Sequence, residues 1–252
     1  MRAVFSLRTG HPVIDSHVIE VEIEDYSLRL LRWVPRGELA VQQGARGEYG
    51  EALAKHLADP LAEPICSSTT PPDPMFEPFA SALEDWEVGN QNAWRYQLDL
   101  LYPLDSDFRE SVREALLRTR RGEVISYASL ARRIREPKAV RAAASACATN
   151  PIALVVPCHR VVPSASAPQF SEVKVAVLEE VKELGSEAQQ FVAKPRRKIP
   201  KRTLRLAAER LQFVDLGKYA FEPKLKRALV EFELAWKISE TAKRAARLAA
   251  RI

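Results

Sequence analysis

Residues 122–162 read GEVISYASLARRIREPKAVRAAASACATNPIALVVPCHRVV, and the three prolines of this run, Pro137, Pro151 and Pro157, fix where helices can and cannot extend. Ser126 stands where a capping hydroxyl starts a short helix ending near Ile134. Arg135-Glu136-Pro137 makes a brief turn, and proline suits the first position of a second helix over 138–148. That second segment is rich in small residues, which let a helix approach another surface closely. Two short helices with a tight turn have the sequence form of a helix-turn-helix. The same residues also serve plain packing against a neighbouring helix. Asn150-Pro151 stops the helix. The apolar run 152–156 then reads as a buried strand that ends at Cys158-His159.

The flanking segments point to a mixed architecture. In 17–25, Ile19, Val21 and Ile23 alternate with Glu20, Glu22 and Glu24, the period of a half-buried strand, and 27–34 reads as its hairpin partner. Leu53 and Leu57 suggest a helix within 47–64, and 66–74 is turn-rich. Asp107 and Glu110 have capping-box spacing, and Phe108, Val112 and Leu116 recur every four residues behind them. Residues 164–216 are charged and helical in pattern, and include the basic run KPRRKIPKR. An amphipathic helix follows, with Leu225, Leu229 and Phe232 as apolar anchors. The expected fold is α+β: an N-terminal α/β domain over 1–88 and a mainly helical domain over 89–252, interrupted by an insertion at 164–216.

With 252 residues, 46% hydrophobic and 28% charged, the chain has a globular composition. Its apolar runs are too short to span a bilayer, and its first residues lack the apolar core of a secretory signal. A cytoplasmic protein without membrane contact is expected. The three cysteines, Cys66, Cys147 and Cys158, show no paired spacing, so neither a disulfide framework nor a metal site is expected; His11, His17 and Cys66 are too loosely spaced to suggest one. A net charge of +5 permits nucleic-acid binding without demanding it.

Cys158 beside His159 is the one pairing that suggests covalent chemistry. A thiolate is the nucleophile, and a neighbouring base favours it. Adjacent strand residues point to opposite faces, so a bridging water or a turn after Pro157 is needed to couple them, and a carboxylate is needed to orient the imidazole. A structural buried cysteine is the competing reading, and it is the one adopted for Cys66 and Cys147.

The GEVISY segment, Asn150-Pro151 and PCHRV together resemble the O6-alkylguanine-DNA alkyltransferase family, closely over 107–162 and again from Gly217. The resemblance implies a stoichiometric repair protein, a monomer without a cofactor, acting on double-stranded DNA that carries O6-alkylguanine and associated with the nucleoid. It implies that Cys158 accepts the alkyl group, that His159 takes the thiol proton through a water, and that Glu233 orients His159. Asn150 would tie the recognition helix to the active-site segment, and Tyr127 would press on a phosphate and hydrogen-bond the guanine. Arg141 would fill the gap left by a flipped base, with Ala142, Ala143, Ser145 and Ala146 lining the same DNA-facing helix. Val161, Tyr219, Ala220 and Phe221 would form the base pocket.

The departures are the insertion and the lid, where Ala220, Phe221 and Glu222 replace a serine and two glycines, and Ala144 and Ser145 where glycines are common. A damage sensor without transfer activity and a Cys-His hydrolase are the competing functions. The insertion reads as a solvated helical hairpin, with a DNA-binding arm or a partner site as alternatives.

Overall fold

The computed structural model describes residues 2–24, 27–36, 38, 65–66, 74–90, 94, 106–193, 199–219 and 221–250. They form a mixed helix-and-sheet protein of two compact units, one from 1–103 with 151–153, the other from 104–150 with 154–252. The expected helix within 47–64 and most of the turn-rich 66–74 lie outside the described residues.

The first unit is built on an antiparallel sheet in the order β3-β2-β1-β4, with β1 Arg2–Ser6, β2 His17–Glu24, β3 Ser27–Pro35 and β4 Ile65–Cys66. The hairpin of β2 and β3 is as expected, with Glu24 opposite Ser27. Clean alternation is not: 17–21 is buried throughout, and Glu20 is shielded and paired with Arg32. A short helical turn, α1 (Pro12–Asp15), links β1 to β2. Helix α2 (Glu77–Glu87) buries Phe79, Ala82, Leu83 and Trp86, and the rings of Phe5 and Phe79 meet at 4.9 Å. Leu31 N–H donates to Pro151 O at 2.8 Å, and Leu31 forms an isolated parallel bridge with Ile152.

The run 152–156 is buried as expected, but it is not a continuous strand. Leu154 takes a φ of 93°, a conformation no extended strand contains. Burial alone cannot separate a strand from an irregular buried segment, and the apolar pattern reported only the burial.

In the second unit, α3 (Asp107–Leu117) is capped by Ser106, whose side chain accepts from Arg109 N–H at 3.4 Å. The cap therefore lies one residue before the expected Asp107, whose charge still favours the helix N-terminus. Strand β5 (Ile125–Ser126) leads into α4 (Tyr127–Arg133), capped by Ser126 as expected through Ser129 N–H at 3.0 Å. Arg135, at φ 64°, reverses the chain. Helix α5 (Val140–Ala148) begins later than expected, because Pro137 and Lys138 belong to a turn closed by Ala139 N–H on Glu136 O at 2.9 Å. Strand β6 (Val161–Val162) pairs parallel with β5.

Residues 164–216, read from the sequence as an insertion, include α6 (Ser166–Glu183), a 3-10 stretch over Gly185–Phe191 and α7 (Lys201–Leu211), all packed on the long α8 (Pro223–Ala249). It is helical, yet its inner face is not solvated: Phe170, Val177, Val181, Phe191, Leu204 and Leu211 are buried. Each such side chain contributes about 1.5–3 kcal/mol on burial, so the insertion is part of the unit's core. It leaves after Pro163 and returns at Gly217, where a Cβ would stand 2.9 Å from Pro163 Cδ and φ is 72°.

Candidate active site

Cys158 opens a 3-10 turn, Cys158–Arg160, that follows directly on Pro157. Cys158 N–H donates to Val156 O at 2.8 Å, and Arg160 N–H to Pro157 O at 3.1 Å. The turn removes the strand alternation, so Cys158 and His159 are both buried, at 3% and 0% exposure. Asn150, just past α5, donates Nδ2–H to Val156 O at 2.8 Å and to Cys158 Sγ at 3.2 Å. Lys226 is fully buried and donates Nζ–H to Val161 O at 2.7 Å and Lys218 O at 3.1 Å. Burial pushes the Cys158 thiol up; the Asn150 hydrogen bond, the Lys226 charge and the Tyr219 hydroxyl oppose it. Burial likewise lowers the Lys226 ammonium to about 8, against the pull of Cys158, Cys147 and Asp215.

Glu233, on α8, holds the imidazole. His159 Nε2 lies 3.0 Å from Oε1, while Arg160 Nε reaches Oε2 at 2.9 Å and Nη2 reaches Oε1 at 2.7 Å. Gly122 N–H adds a bond to Oε2 at 3.1 Å, and Arg160 Nη1 donates to Thr119 O at 2.6 Å. Burial alone would raise the Glu233 carboxyl, but Arg160 and His159 outweigh it and hold it well below the carboxylate range. Burial lowers His159 despite Glu233, so the imidazole is neutral at pH 7. His159 Nδ1 is buried and makes no hydrogen bond among the described residues. Beside this cluster, the buried Arg121 guanidinium lies 5.3 Å from the Phe232 ring and 5.8 Å from the Trp236 ring.

The structure thus brings Cys158, His159, Asn150 and Glu233 together as the sequence suggested. Tyr127 lies within the electrostatic reach of Cys158 and Cys147; burial first, then those two sulfurs, raise its phenol to about 12, so it is a neutral donor. The Tyr219 hydroxyl is shielded and is raised by burial and then by Cys158. Its ring meets Phe221 at 5.6 Å. Val161 is buried, with its carbonyl held by Lys226, and Ala220 lies outside the described residues. On α5, Arg141, Ala142 and Ser145 are exposed and Ala146 is half-buried. Ala143 is the exception: it is fully buried, so it faces the interior and cannot touch DNA. The sequence did not single out Lys226, Arg160 or Gly122. Arg160 stood inside the quoted PCHRV, but nothing in a lone sequence reveals that it faces Glu233. Among the described residues, no group of three or more His, Cys, Asp or Glu is placed to hold a metal, and no helix is long and apolar enough to cross a membrane.

Known proteins match part of this chain. Residues 107–184 fit the 6-O-methylguanine DNA methyltransferase, DNA binding domain. The bifunctional transcriptional activator/DNA repair enzyme Ada of Escherichia coli is 52% identical over 66 residues, which are 25% of this chain and only 19% of that protein. A methylated-DNA–protein-cysteine methyltransferase of Mycobacterium leprae is 34% identical over 115 residues, 45% of this chain and 68% of that protein. The crystal structure of Mycobacterium tuberculosis OGT in complex with DNA is 26% identical and aligns with a TM-score of 0.39, covering 59% of this chain and 73% of that one. With 34% identity across 68% of the Mycobacterium leprae protein's length, the chain belongs to the methylated-DNA–protein-cysteine methyltransferase family.

Proposed function

We propose that this protein repairs DNA by moving an alkyl group from O6 of guanine to Cys158, once per molecule. One observation carries the reading: a buried sulfur that accepts from Asn150, beside a histidine whose Nε2 is held by Glu233 while its Nδ1 is open. The thiol proton passes to His159 Nδ1 through a water. The sulfur then attacks the alkyl carbon, the S–C bond forms and the C–O6 bond breaks. The electron pair left on O6 spreads into the ring, which takes up a proton, so one proton has moved from thiol to guanine overall. The neutral Tyr127 phenol is suited to donate a hydrogen bond to the purine as that charge develops. Lys226 favours the thiolate as a buried counter-charge. The thioether product is stable, and no described residue offers a route back to the thiol.

The O6 atom is hidden in a duplex, so the nucleotide must be extruded at a cost of a few kcal/mol. Helices α4 and α5 act as a helix-turn-helix, with Arg141 filling the vacated stack and Ala142, Ser145 and Ala146 along the groove. The small side chains of α5 suit a minor-groove approach. Tyr219, Phe221 and the Val161 backbone form the base pocket. The protein works as a cytoplasmic, nucleoid-associated monomer.

Mass spectrometry after incubation with a duplex carrying O6-methylguanine tests this. A 1:1 gain of one methyl on Cys158, absent in Cys158→Ala, is expected. Binding without a mass gain would replace repair by damage sensing.

A further inference from the structure

The insertion is electrically polarised along its sequence. Residues 164–193 carry two Lys against five Glu, whereas 194–216 carry eight Lys and Arg against two acids, so the second half is cationic in composition. Helix α7 lies in that second half. It turns Thr203, Leu204, Ala207 and Leu211 inward and leaves Lys201, Arg202, Arg205 and Arg210 exposed. Arg205 pairs with Glu209 at 2.7 Å, Arg210 with Glu180, and Arg202 bonds Gln190. Solvent-exposed pairs of this kind contribute at most about 1 kcal/mol, so these side chains remain available to another anion.

Two residues past the end of the helix, in the turn that follows it, stands Phe213, which is 88% exposed. The turn that displays it is fixed. Arg227 Nη1 donates to Leu211 O at 2.8 Å and Nη2 to Val214 O at 2.7 Å, and Val214 N–H donates to Leu211 O at 3.0 Å. Leu211 and Val214 on either side are buried, so the phenyl ring is held outward between two anchors. Helix α7 runs antiparallel to α8: its start joins Phe191, whose neighbour Ala193 bonds Ser239, and its end is held by Arg227. Arg227 adjoins Lys226 of the candidate site. Phe213 therefore stands at the end of α7 nearest Cys158.

We propose that the solvent face of α7, ending in Phe213, is a second DNA-contact surface that grips the duplex beside the lesion. The proposal rests on the reading of this protein as a DNA alkyltransferase. Its cations meet phosphates, and Phe213 stacks against the bases or sugars that extrusion exposes. An aromatic ring at the tip of a cationic helix combines the two elements of sequence-tolerant nucleic-acid binding. The Arg227 clamp fixes the backbone of the turn in advance, so little backbone freedom is lost on contact.

The test uses the full chain in three variants: Lys201→Gln/Arg202→Gln/Arg205→Gln, Phe213→Ala, and a control, Lys243→Gln/Arg244→Gln/Arg247→Gln, which removes equal charge from the exposed far end of α8. The readouts are the salt dependence of binding to an O6-methylguanine duplex, and the rate of Cys158 methylation from that duplex and from free O6-methylguanine base. The α7 triple variant is expected to flatten the log-log salt slope by about 2–3, with the control unchanged. Phe213→Ala is expected to slow transfer from duplex about tenfold, as the loss of one stacked base contact implies, with transfer from the free base unchanged. An unaltered slope in the α7 variant, an equal loss in the control, or an unaltered duplex rate in Phe213→Ala each overturns the proposal. A wild-type protein that gains no mass from either substrate strikes instead at alkyl transfer, and the salt slopes then decide the surface alone.

Discussion

Arg160 and Glu233 meet side-on, Nε 2.9 Å from Oε2 and Nη2 2.7 Å from Oε1, in a buried two-point pair. Because Glu233 is ionised, it can only accept, so the proton between it and His159 sits on Nε2. That leaves the lone pair on Nδ1. The arginine sets the tautomer of a histidine it does not touch through hydrogen bonds of its own.

Glu233→Gln should therefore damage both stability and chemistry. The amide leaves Arg160 buried without its counter-charge, a loss of about 3 kcal/mol in urea unfolding at pH 7. It can also turn its NH2 toward His159 and free the tautomer, and transfer should fall at least about 100-fold. The folded carboxyl lies below its ordinary value of 4.5, so its stabilisation is complete above that pH and is lost as pH falls beneath it. The gap between wild type and variant should narrow in that acid range.

Asn150→Ala removes the donor to both Val156 O and Cys158 Sγ. The loss should be about 1–3 kcal/mol of stability, the cost of a buried carbonyl left unpaired. The Asn150 bond is the largest influence opposing the burial of the thiol, so the thiol should become harder to ionise. Single-turnover methylation should slow about tenfold or more, as the loss of one hydrogen bond to a charged group implies.

Lys226→Met separates field from fold. Burial lowers the wild-type ammonium from 10.5 to about 8, so the charge costs stability at all pH below about 8 and is relieved as pH rises from 8 to 10.5. Wild-type stability should rise relative to the variant's over that window. Transfer by the variant should be slower at pH 7, with the difference closing above pH 9 as the wild-type lysine discharges. A constant rate ratio from pH 7 to 10 would remove Lys226 from thiolate stabilisation.

Gly122→Ala tests the seat of Glu233. Gly122 has a φ of 69°, and a Cβ there would stand 2.4 Å from Lys237 Cγ and 3.1 Å from the Glu233 carbonyl oxygen. The lysine stem can swing away, but the helix backbone cannot. A left-handed alanine costs about 1–2 kcal/mol by itself, and thermal unfolding should report at least that much. Transfer should slow as well, because Gly122 N–H donates to Glu233.

Legibility in the sequence followed locality. Ser126 and α4, the β2–β3 hairpin, and the apolar anchors of α8 were all readable, because caps, alternation and helical spacing are set by near neighbours. The pairing of Cys158 and His159 was readable from its motif, but the turn that buries both was not. Lys226 was invisible for a physical reason: a lysine on an amphipathic helix is ordinary until burial lowers it to about 8. Ala143 misled for the same reason, since five alanines and a serine on one short helix do not say which of them turns inward.

The contact of Gly217 with Pro163 joins the two ends of a long excursion at a single seam. The spacing of the sulfur from the Tyr219 segment is therefore set at that seam, with 53 residues, 164–216, running out and back between its two sides. A bulkier residue in place of that glycine would pry the seam apart and shift the Tyr219 hydroxyl away from Cys158.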